Sequence, residues 1–181
     1  MLLPTIVTLV LAAGAAQALP PPRDGDIRVL FWELRNETEV WLTLEPKSPD
    51  GNPAPRAMTL TLTRRFTGKW PGKQPPRFEI RADAGFLWAP KNELWMAIDG
   101  EKVDFASRNP YGPVTGEAST YVAAEIPVDT LAKAAKAARL FGNALGFEFE
   151  LTASQRQAVR DFFERAMSDD PARLPRENRS R

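Results

Sequence analysis

The sequence predicts a mainly β fold of the α+β class: an antiparallel β-sandwich or open barrel with one or two C-terminal helices packed on it. Three observations lead to this prediction. Short segments in the first two thirds of the chain alternate apolar and polar side chains, which is typical of half-buried strands. Turn residues, among them many of the 17 prolines, separate these segments. Near the C-terminus the period changes to that of amphipathic helices.

The alternating segments follow one another as consecutive antiparallel strands would. Residues 26–34 are apolar on both faces, which predicts a central strand. The later segments have one apolar face each, and Asp99-Gly100 between two of them predicts a tight hairpin. These later segments cover residues 40–44, 58–63, 77–82, 94–98, 103–105, 122–126 and 147–151.

Two helices are expected in the C-terminal third. Asp129 is placed to cap a short alanine-rich helix that ends near Ala138. Thr152-Ala153-Ser154-Gln155 has the pattern of a capping box, which opens a second helix. The apolar face of this second helix consists of Val159, Phe162, Phe163 and Ala166.

The N-terminus is predicted to be a signal peptide. An apolar run of the right length begins at Ile6, is too short to span a bilayer, and is followed by the cleavage pattern Ala16-Gln17-Ala18. The alternative is a buried N-terminal element of a cytosolic protein. We expect an exported protein, periplasmic or secreted, that is not an integral membrane protein. Its predicted parts are a signal peptide at 1–18, a proline-rich linker at 19–25, one β-rich domain at 26–168 and a disordered tail at 169–181.

The composition excludes several kinds of chemistry. The 181 residues include no His and no Cys, which excludes imidazole bases, thiolate nucleophiles and zinc sites built from these ligands. The formal net charge of +1 gives no reason to expect nucleic acid as a partner. The chain also lacks the glycine-rich phosphate-binding loops and the common serine-hydrolase motifs. We therefore expect no cofactor, no bound metal and no enzymatic activity.

One stretch of the chain concentrates positive charge. Between Arg56 and Arg81 there are seven basic residues and one acidic residue, and Gly and Pro place the middle of this stretch on a loop. Such a loop with an exposed indole suits an anionic surface: lipid headgroups, an anionic cell-wall polymer or an acidic protein partner. The alternative is an ordinary solvated hairpin loop. The candidate ligand-binding residues are Arg64, Arg65, Lys69, Trp70 and Lys73.

Two further features carry weaker hypotheses. Trp41 and Trp95 each lie on an otherwise polar strand face. They would form an exposed platform for sugars or a peptide if their strands were neighbours, or would be covered by the C-terminal helix. The acidic hairpin Asp99-Gly100-Glu101, with Asp104, offers carboxylates for glycoside hydrolysis or for a hard cation, although turn chemistry already explains it.

Taken together, these features predict an exported, non-enzymatic, β-rich domain that binds an envelope component or a protein partner through its loops. The first alternative is a glycan hydrolase that uses carboxylates alone. The second is an envelope assembly factor that acts by adding a strand to a sheet edge.

Overall fold

The computed structural model describes residues 21–49, 58–84, 93–106 and 120–171. The predicted signal peptide and the end of the predicted tail lie outside the described residues. Nine strands and two α-helices are found in the described ranges. In chain order they are β1 (Ile27–Trp32), β2 (Glu37–Leu44), β3 (Met58–Thr67), β4 (Phe78–Ala84), β5 (Leu94–Ile98), β6 (Glu101–Asp104), β7 (Thr120–Ile126), α1 (Val128–Lys136), β8 (Leu140–Ala144), β9 (Phe147–Glu150) and α2 (Ala153–Met167).

The described strands form two antiparallel sheets. The first has five strands in the order β1-β2-β3-β4-β7, and the second has four in the order β6-β5-β8-β9. Alternation along β3 and β4 gives the first sheet an apolar inner face and a mainly polar outer face. The register places Leu42, Leu62 and Ile80 side by side on neighbouring strands, so the inner face is a continuous apolar surface.

Both sheets and both helices contribute to one hydrophobic core. A small interior space is lined by Leu62 and Ile80 of the first sheet, Met96 of the second, Leu131 of α1 and Val159 of α2. The prediction of a mainly β α+β fold with a C-terminal helix packed on a sheet is therefore confirmed. Within the described ranges the strands make two separate sheets and no closed barrel.

Helix α2 begins and packs as its sequence predicts. The Thr152 hydroxyl accepts a hydrogen bond from the Gln155 amide, and the Gln155 side chain accepts one from the Thr152 amide, which completes the capping box. Phe162 is fully buried, and the rings of Phe162 and Phe163 lie 6.1 and 6.3 Å from the ring of Phe78 on β4. The helix therefore covers the inner face of the first sheet.

The tight hairpin between β5 and β6 is also confirmed. Asp99 and Gly100 have φ angles of +49° and +93°, the left-handed conformations that a two-residue hairpin of this kind requires. Glycine adopts this conformation without strain, and Asp tolerates it better than most residues.

The predicted central position of the first strand is wrong, because β1 lies at the edge of its sheet. Its second apolar face consists of Leu30 and Trp32, which belong to the outer face of the sheet. The Trp32 indole is 43% exposed there and donates a hydrogen bond to Glu39. Apolar residues on both faces of β1 predicted that both faces are buried. In the structure, the outer face of this strand is partly exposed.

The predicted capping role of Asp129 is also wrong. Helix α1 begins at Val128, with Pro127 at the capping position and no side-chain hydrogen bond to the first turn. Asp129 lies inside that first turn, where its negative charge interacts favourably with the helix dipole. The helix ends at Lys136, slightly before the predicted end.

The close approach of the β5 and β8 backbones at Gly142 provides a test of the fold. A Cβ atom at Gly142 would lie against the Trp95 carbonyl oxygen and 2.8 Å from the buried Phe149 ring. Because neither neighbour has room to move, we expect Gly142→Ala to lower the free energy of unfolding by about 3 kcal/mol, measured by urea denaturation.

Gly72→Ala is the matched control for this substitution. Gly72 has a φ of +55°, and a Cβ atom there would meet no heavy atom of the described chain within 4 Å beyond its own neighbours in sequence. Only backbone strain therefore opposes alanine, and we expect this substitution to cost about 1 kcal/mol. Equal losses in the two variants would contradict the close approach of β5 and β8.

Candidate functional site

The predicted basic loop connects β3 to β4, as its glycines and prolines indicate. β3 ends at Thr67 and β4 begins at Phe78. The connection from β1 to β2 lies at the same end of the sheet and contains a short 3₁₀ turn at Glu33–Arg35. We refer to residues 32–36 together with residues 68–77 as the aromatic–basic tip.

Hydrogen bonds join the two loops of the tip to each other and to the sheet. The Gly68 amide donates to the Asn36 carbonyl oxygen at 2.7 Å, and the Thr38 hydroxyl donates to the Gly68 carbonyl oxygen at 2.6 Å. The Gln74 side chain accepts a hydrogen bond from the Thr67 amide and donates one to the Thr67 carbonyl oxygen. The tip is therefore preorganised by its own backbone contacts.

The tip displays most of the exposed large apolar surface of the described residues. Leu34 is 105% exposed, Trp70 is 55% exposed, and Trp32 belongs to the same set. Only Met167, elsewhere in the described chain, is comparable. A concentration of exposed apolar side chains on one pair of loops is the kind of surface that marks an interaction site.

The two loops of the tip also carry several cations. The tip contains Arg35, Lys69, Lys73 and Arg77, against the single carboxylate of Glu33. The Arg35 guanidinium lies 5.9 Å from the centre of the Trp32 ring, and the Lys69 ammonium lies 5.2 Å from the centre of the Phe31 ring. The surface therefore combines positive charge with aromatic and aliphatic groups.

Only three of the five predicted binding residues belong to the tip. Lys69, Trp70 and Lys73 are exposed in the tip. Arg64 and Arg65 are consecutive residues of β3, so their side chains lie on opposite faces of the sheet. This division follows from strand geometry, which the prediction of a single basic loop did not take into account.

Arg65 and Arg64 have different surroundings. Arg65 lies on the outer face, where its Nε donates to Glu39 and its Nη1 lies 3.9 Å from Glu79. The hydrogen bond to Glu39 raises the pKa of Arg65 above its ordinary value. Arg64 faces inward and is 4% exposed, and burial lowers the pKa of its guanidinium. Arg65 thus contributes to a surface ion-pair network and not to the tip.

Sequence reasoning missed the contribution of the β1–β2 connection. Trp32 and Leu34 were assigned to a strand, whereas β1 ends at Trp32 and Leu34 lies in the 3₁₀ turn. The sequence signal for this connection was Asn36, a residue type that favours turns, shortly after the apolar Leu34. Only the register of β1 with β2 shows that this turn adjoins the basic loop.

Both hypotheses for the paired tryptophans are wrong. Trp41 lies in β2 of the first sheet and Trp95 in β5 of the second, so their strands are not neighbours. Trp41 belongs to the outer face of its sheet, whereas α2 covers the inner face. Trp95 packs edge-on against Phe141, with the Lys102 ammonium 4.9 Å from its ring centre.

The acidic hairpin is explained by local contacts. The Asp99 carboxylate accepts a hydrogen bond from the Arg139 amide at 2.8 Å. Glu101 pairs with Lys133 at 3.5 Å, and Asp104 pairs with Lys102 at 2.8 Å. Across the described ranges, no three acidic side chains come together as a metal-binding group.

Apart from the tip, a cleft lies on the outer face of the first sheet. This cleft of about 520 Å³ is lined in part by Arg65, Glu79, Arg81, Tyr121 and Glu125. Glu79 and Glu125 are direct partners in the β4–β7 register, so two carboxylates share this surface. The Arg81 guanidinium lies 3.9 Å from the Tyr121 ring centre.

Comparison with known proteins found no matching family model, no matching curated protein and no matching solved structure. In the part of the chain that the structure describes, no helix is both long enough and apolar enough to cross a bilayer. The function is therefore inferred from the geometry and chemistry of the surfaces described above.

The exposure of the tip can be tested by tryptophan fluorescence. Trp32 and Trp70 are exposed, whereas Trp41 and Trp95 are partly buried. In a Trp88→Phe background, which removes the tryptophan outside the described residues, we expect acrylamide to quench mainly the two tip residues. Trp32→Phe with Trp70→Phe should then remove most of the readily quenched emission. The control pair, Trp41→Phe with Trp95→Phe, should leave that fraction in place. A reversed pattern would show that the tip is covered.

Proposed function

We propose that the protein is an exported, non-enzymatic binding protein that docks on an anionic membrane surface through the aromatic–basic tip. The observation that carries this proposal is the joint exposure of Trp32, Leu34 and Trp70 on two loops held together by hydrogen bonds. Export is part of the proposal, and the predicted signal peptide supports it.

The apolar side chains favour a lipid surface over a hydrated polymer. Tryptophan is enriched where one side of a ring is apolar and the other is wet, as at the headgroup level of a bilayer. Leu34 has no polar atom in its side chain and is fully exposed. Its transfer from water into an apolar environment is worth about 2 kcal/mol, which a hydrated polymer does not offer.

The cations supply attraction and orientation. Each Lys or Arg close to an anionic leaflet contributes about 1 kcal/mol. The four tip cations therefore favour docking by an amount comparable to the apolar insertion. Because the attraction between exposed charges is screened by salt, the affinity should fall as ionic strength rises.

The preorganised backbone keeps the cost of docking low. The two loops are already joined through Gly68, Asn36 and Thr38. The side chain of Gln74 closes the larger loop onto the end of β3. A surface that is ordered before it binds loses less conformational entropy on association.

Sedimentation with lipid vesicles tests the proposal. We expect binding to vesicles of phosphatidylcholine that contain phosphatidylglycerol, and little binding to phosphatidylcholine alone. Lys69→Glu with Lys73→Glu should weaken binding about tenfold or more at low salt, because two attractive charges become repulsive. Leu34→Ser with Trp70→Ser should weaken binding similarly, but at high salt as well.

The control for the charge reversal is Lys47→Glu with Lys136→Glu, two exposed lysines outside the tip. This variant should keep most of the binding of the unmodified protein. The emission of Trp32 and Trp70 should shift to shorter wavelength on binding. Failure of the unmodified protein to bind, or equal binding by all variants, would contradict the proposal.

The cleft on the outer face supports a second candidate function, a glycan hydrolase that uses only carboxylates. Directly opposed residues on antiparallel strands have Cβ atoms about 5 Å apart, and like charges in such positions are destabilising. Glu79 and Glu125 occupy opposed positions beside a cleft. Two carboxylates that flank a glycosidic bond can act as nucleophile and general acid in a retaining hydrolase when the carboxyl groups lie about 5 Å apart.

The release of reducing ends from peptidoglycan tests this second candidate. Glu79→Gln and Glu125→Gln should each lower the rate about 100-fold or more, because each removes a group that takes part in the bond-breaking step. Glu148→Gln, an exposed carboxylate of the second sheet, is the control and should leave the rate unchanged. An absence of release by the unmodified protein would remove this candidate.

A further inference from the structure

Arg64 is the polar side chain that the fold accommodates least well. It is 4% exposed, and its Nε and Nη1 atoms are buried without a hydrogen-bond partner. These are two of the three buried side-chain nitrogen or oxygen atoms in the described chain that lack a partner. Buried guanidinium groups are normally paired with a carboxylate or saturated by carbonyl oxygens.

The surroundings of this guanidinium are apolar. The register places Val40 and Phe78 beside Arg64 on the same face of the sheet, and α2 packs on Phe78 through Phe162 and Phe163. The contact of the guanidinium with the Phe66 ring, at 5.3 Å, offsets part of the cost of removing the charge from water. It does not satisfy the unpaired N–H groups, so this position destabilises the fold.

The Arg64 side chain leans toward the aromatic–basic tip. Its guanidinium contacts Phe66, which lies two residues nearer the tip on the same strand face. Phe31, Thr38 and Phe66 form a row across β1, β2 and β3 at this end of the inner face. The Lys69 ammonium lies over Phe31 in the same row. Each of two cations therefore lies near an aromatic ring of this row, and Lys69 is exposed whereas Arg64 is buried.

We propose that Arg64 and Lys69 form a receptor for a phosphate group at the inner side of the tip. This inference rests on the proposed docking function and names the chemistry that it recognises, a phosphate ester or free phosphate. Phosphate carries several strong acceptor oxygens, and a guanidinium binds them with more directionality than an ammonium group does. The exposed Lys69 attracts the anion, and Arg64 supplies the unpaired donors.

The contrast with Arg65 supports this assignment. Arg65, the adjacent residue, is paired with Glu39 and lies 3.9 Å from Glu79 on the outer face. Arg64 has no carboxylate partner within the described ranges, and its Nε and Nη1 donors make no hydrogen bond there. A buried charge without a partner is better replaced by an apolar side chain if stability alone is considered. Its presence here is accounted for by a ligand that completes its hydrogen bonds.

Thermal unfolding of the full protein with inorganic phosphate tests the proposal. At constant ionic strength set with sodium chloride, phosphate should raise the Tm of the unmodified protein by about 2–6 °C, because a ligand that binds only the folded state stabilises it. Arg64→Met should raise the Tm without phosphate and abolish the phosphate-dependent rise. Arg64→Lys, which keeps the charge but loses the planar fork, should reduce the rise severalfold.

Arg65→Met is the matched control, because it removes the neighbouring guanidinium from the opposite face. It should keep the phosphate-dependent rise. A rise that persists in Arg64→Met, or an absence of any rise in the unmodified protein, would overturn the proposal.

Vesicle binding separates the two sources of phosphate. If Arg64→Met also weakens binding to phosphatidylglycerol vesicles severalfold, the bound group is a lipid headgroup. If it abolishes only the thermal shift, the receptor binds free phosphate. Vesicle binding by the unmodified protein without any thermal shift would overturn the receptor and leave the proposed docking intact. A thermal shift that depends on Arg64 without vesicle binding would contradict the docking alone.

Discussion

Burial of the inner face of the five-stranded sheet is the constraint on which the rest of the structure depends. That face is a continuous apolar surface, and the second sheet and both helices pack over it. Burial of apolar surface is the main favourable term in folding. This packing therefore decides which side chains of each strand point into the core. It leaves the polar side chains of β3 and β4 on the outer face. The antiparallel strand order brings the β1–β2 and β3–β4 connections to one end, where they form the tip.

The alternation of side chains along β3 gives two consecutive arginines different surroundings. A strand directs consecutive side chains to opposite faces, so Arg64 and Arg65 cannot serve the same surface. Arg65 joins an ion-pair network that is partly solvated and therefore adds little stability. Arg64 is buried because its neighbours on both sides along the inner face of β3 belong to the core.

Three surfaces compete for the functional role, and their chemistry differs. The tip combines exposed apolar side chains with an excess of positive charge. The outer-face cleft combines paired charges with two opposed carboxylates. The edge of β1 is left unpaired by the other described strands and is mostly apolar, a feature that strand addition would use. The tip is favoured because Leu34 and Trp70 are exposed apolar side chains. In the cleft, Arg65 and Arg81 are already paired with carboxylates of the same sheet.

The sequence by itself determined the class of fold, the hairpin at Asp99-Gly100, the capping box of α2 and the loop that carries Lys69 and Trp70. These features depend on contacts between residues close in sequence, or on a period that any strand or helix shows. The tertiary structure alone decided that β1 is an edge strand, that Trp41 and Trp95 lie in different sheets, and that Leu34 adjoins the basic loop. It also decided that Arg64 is buried while Arg65 is paired. Such outcomes depend on the order of strands and on which face the helices cover, and these are set by long-range packing that local patterns do not encode.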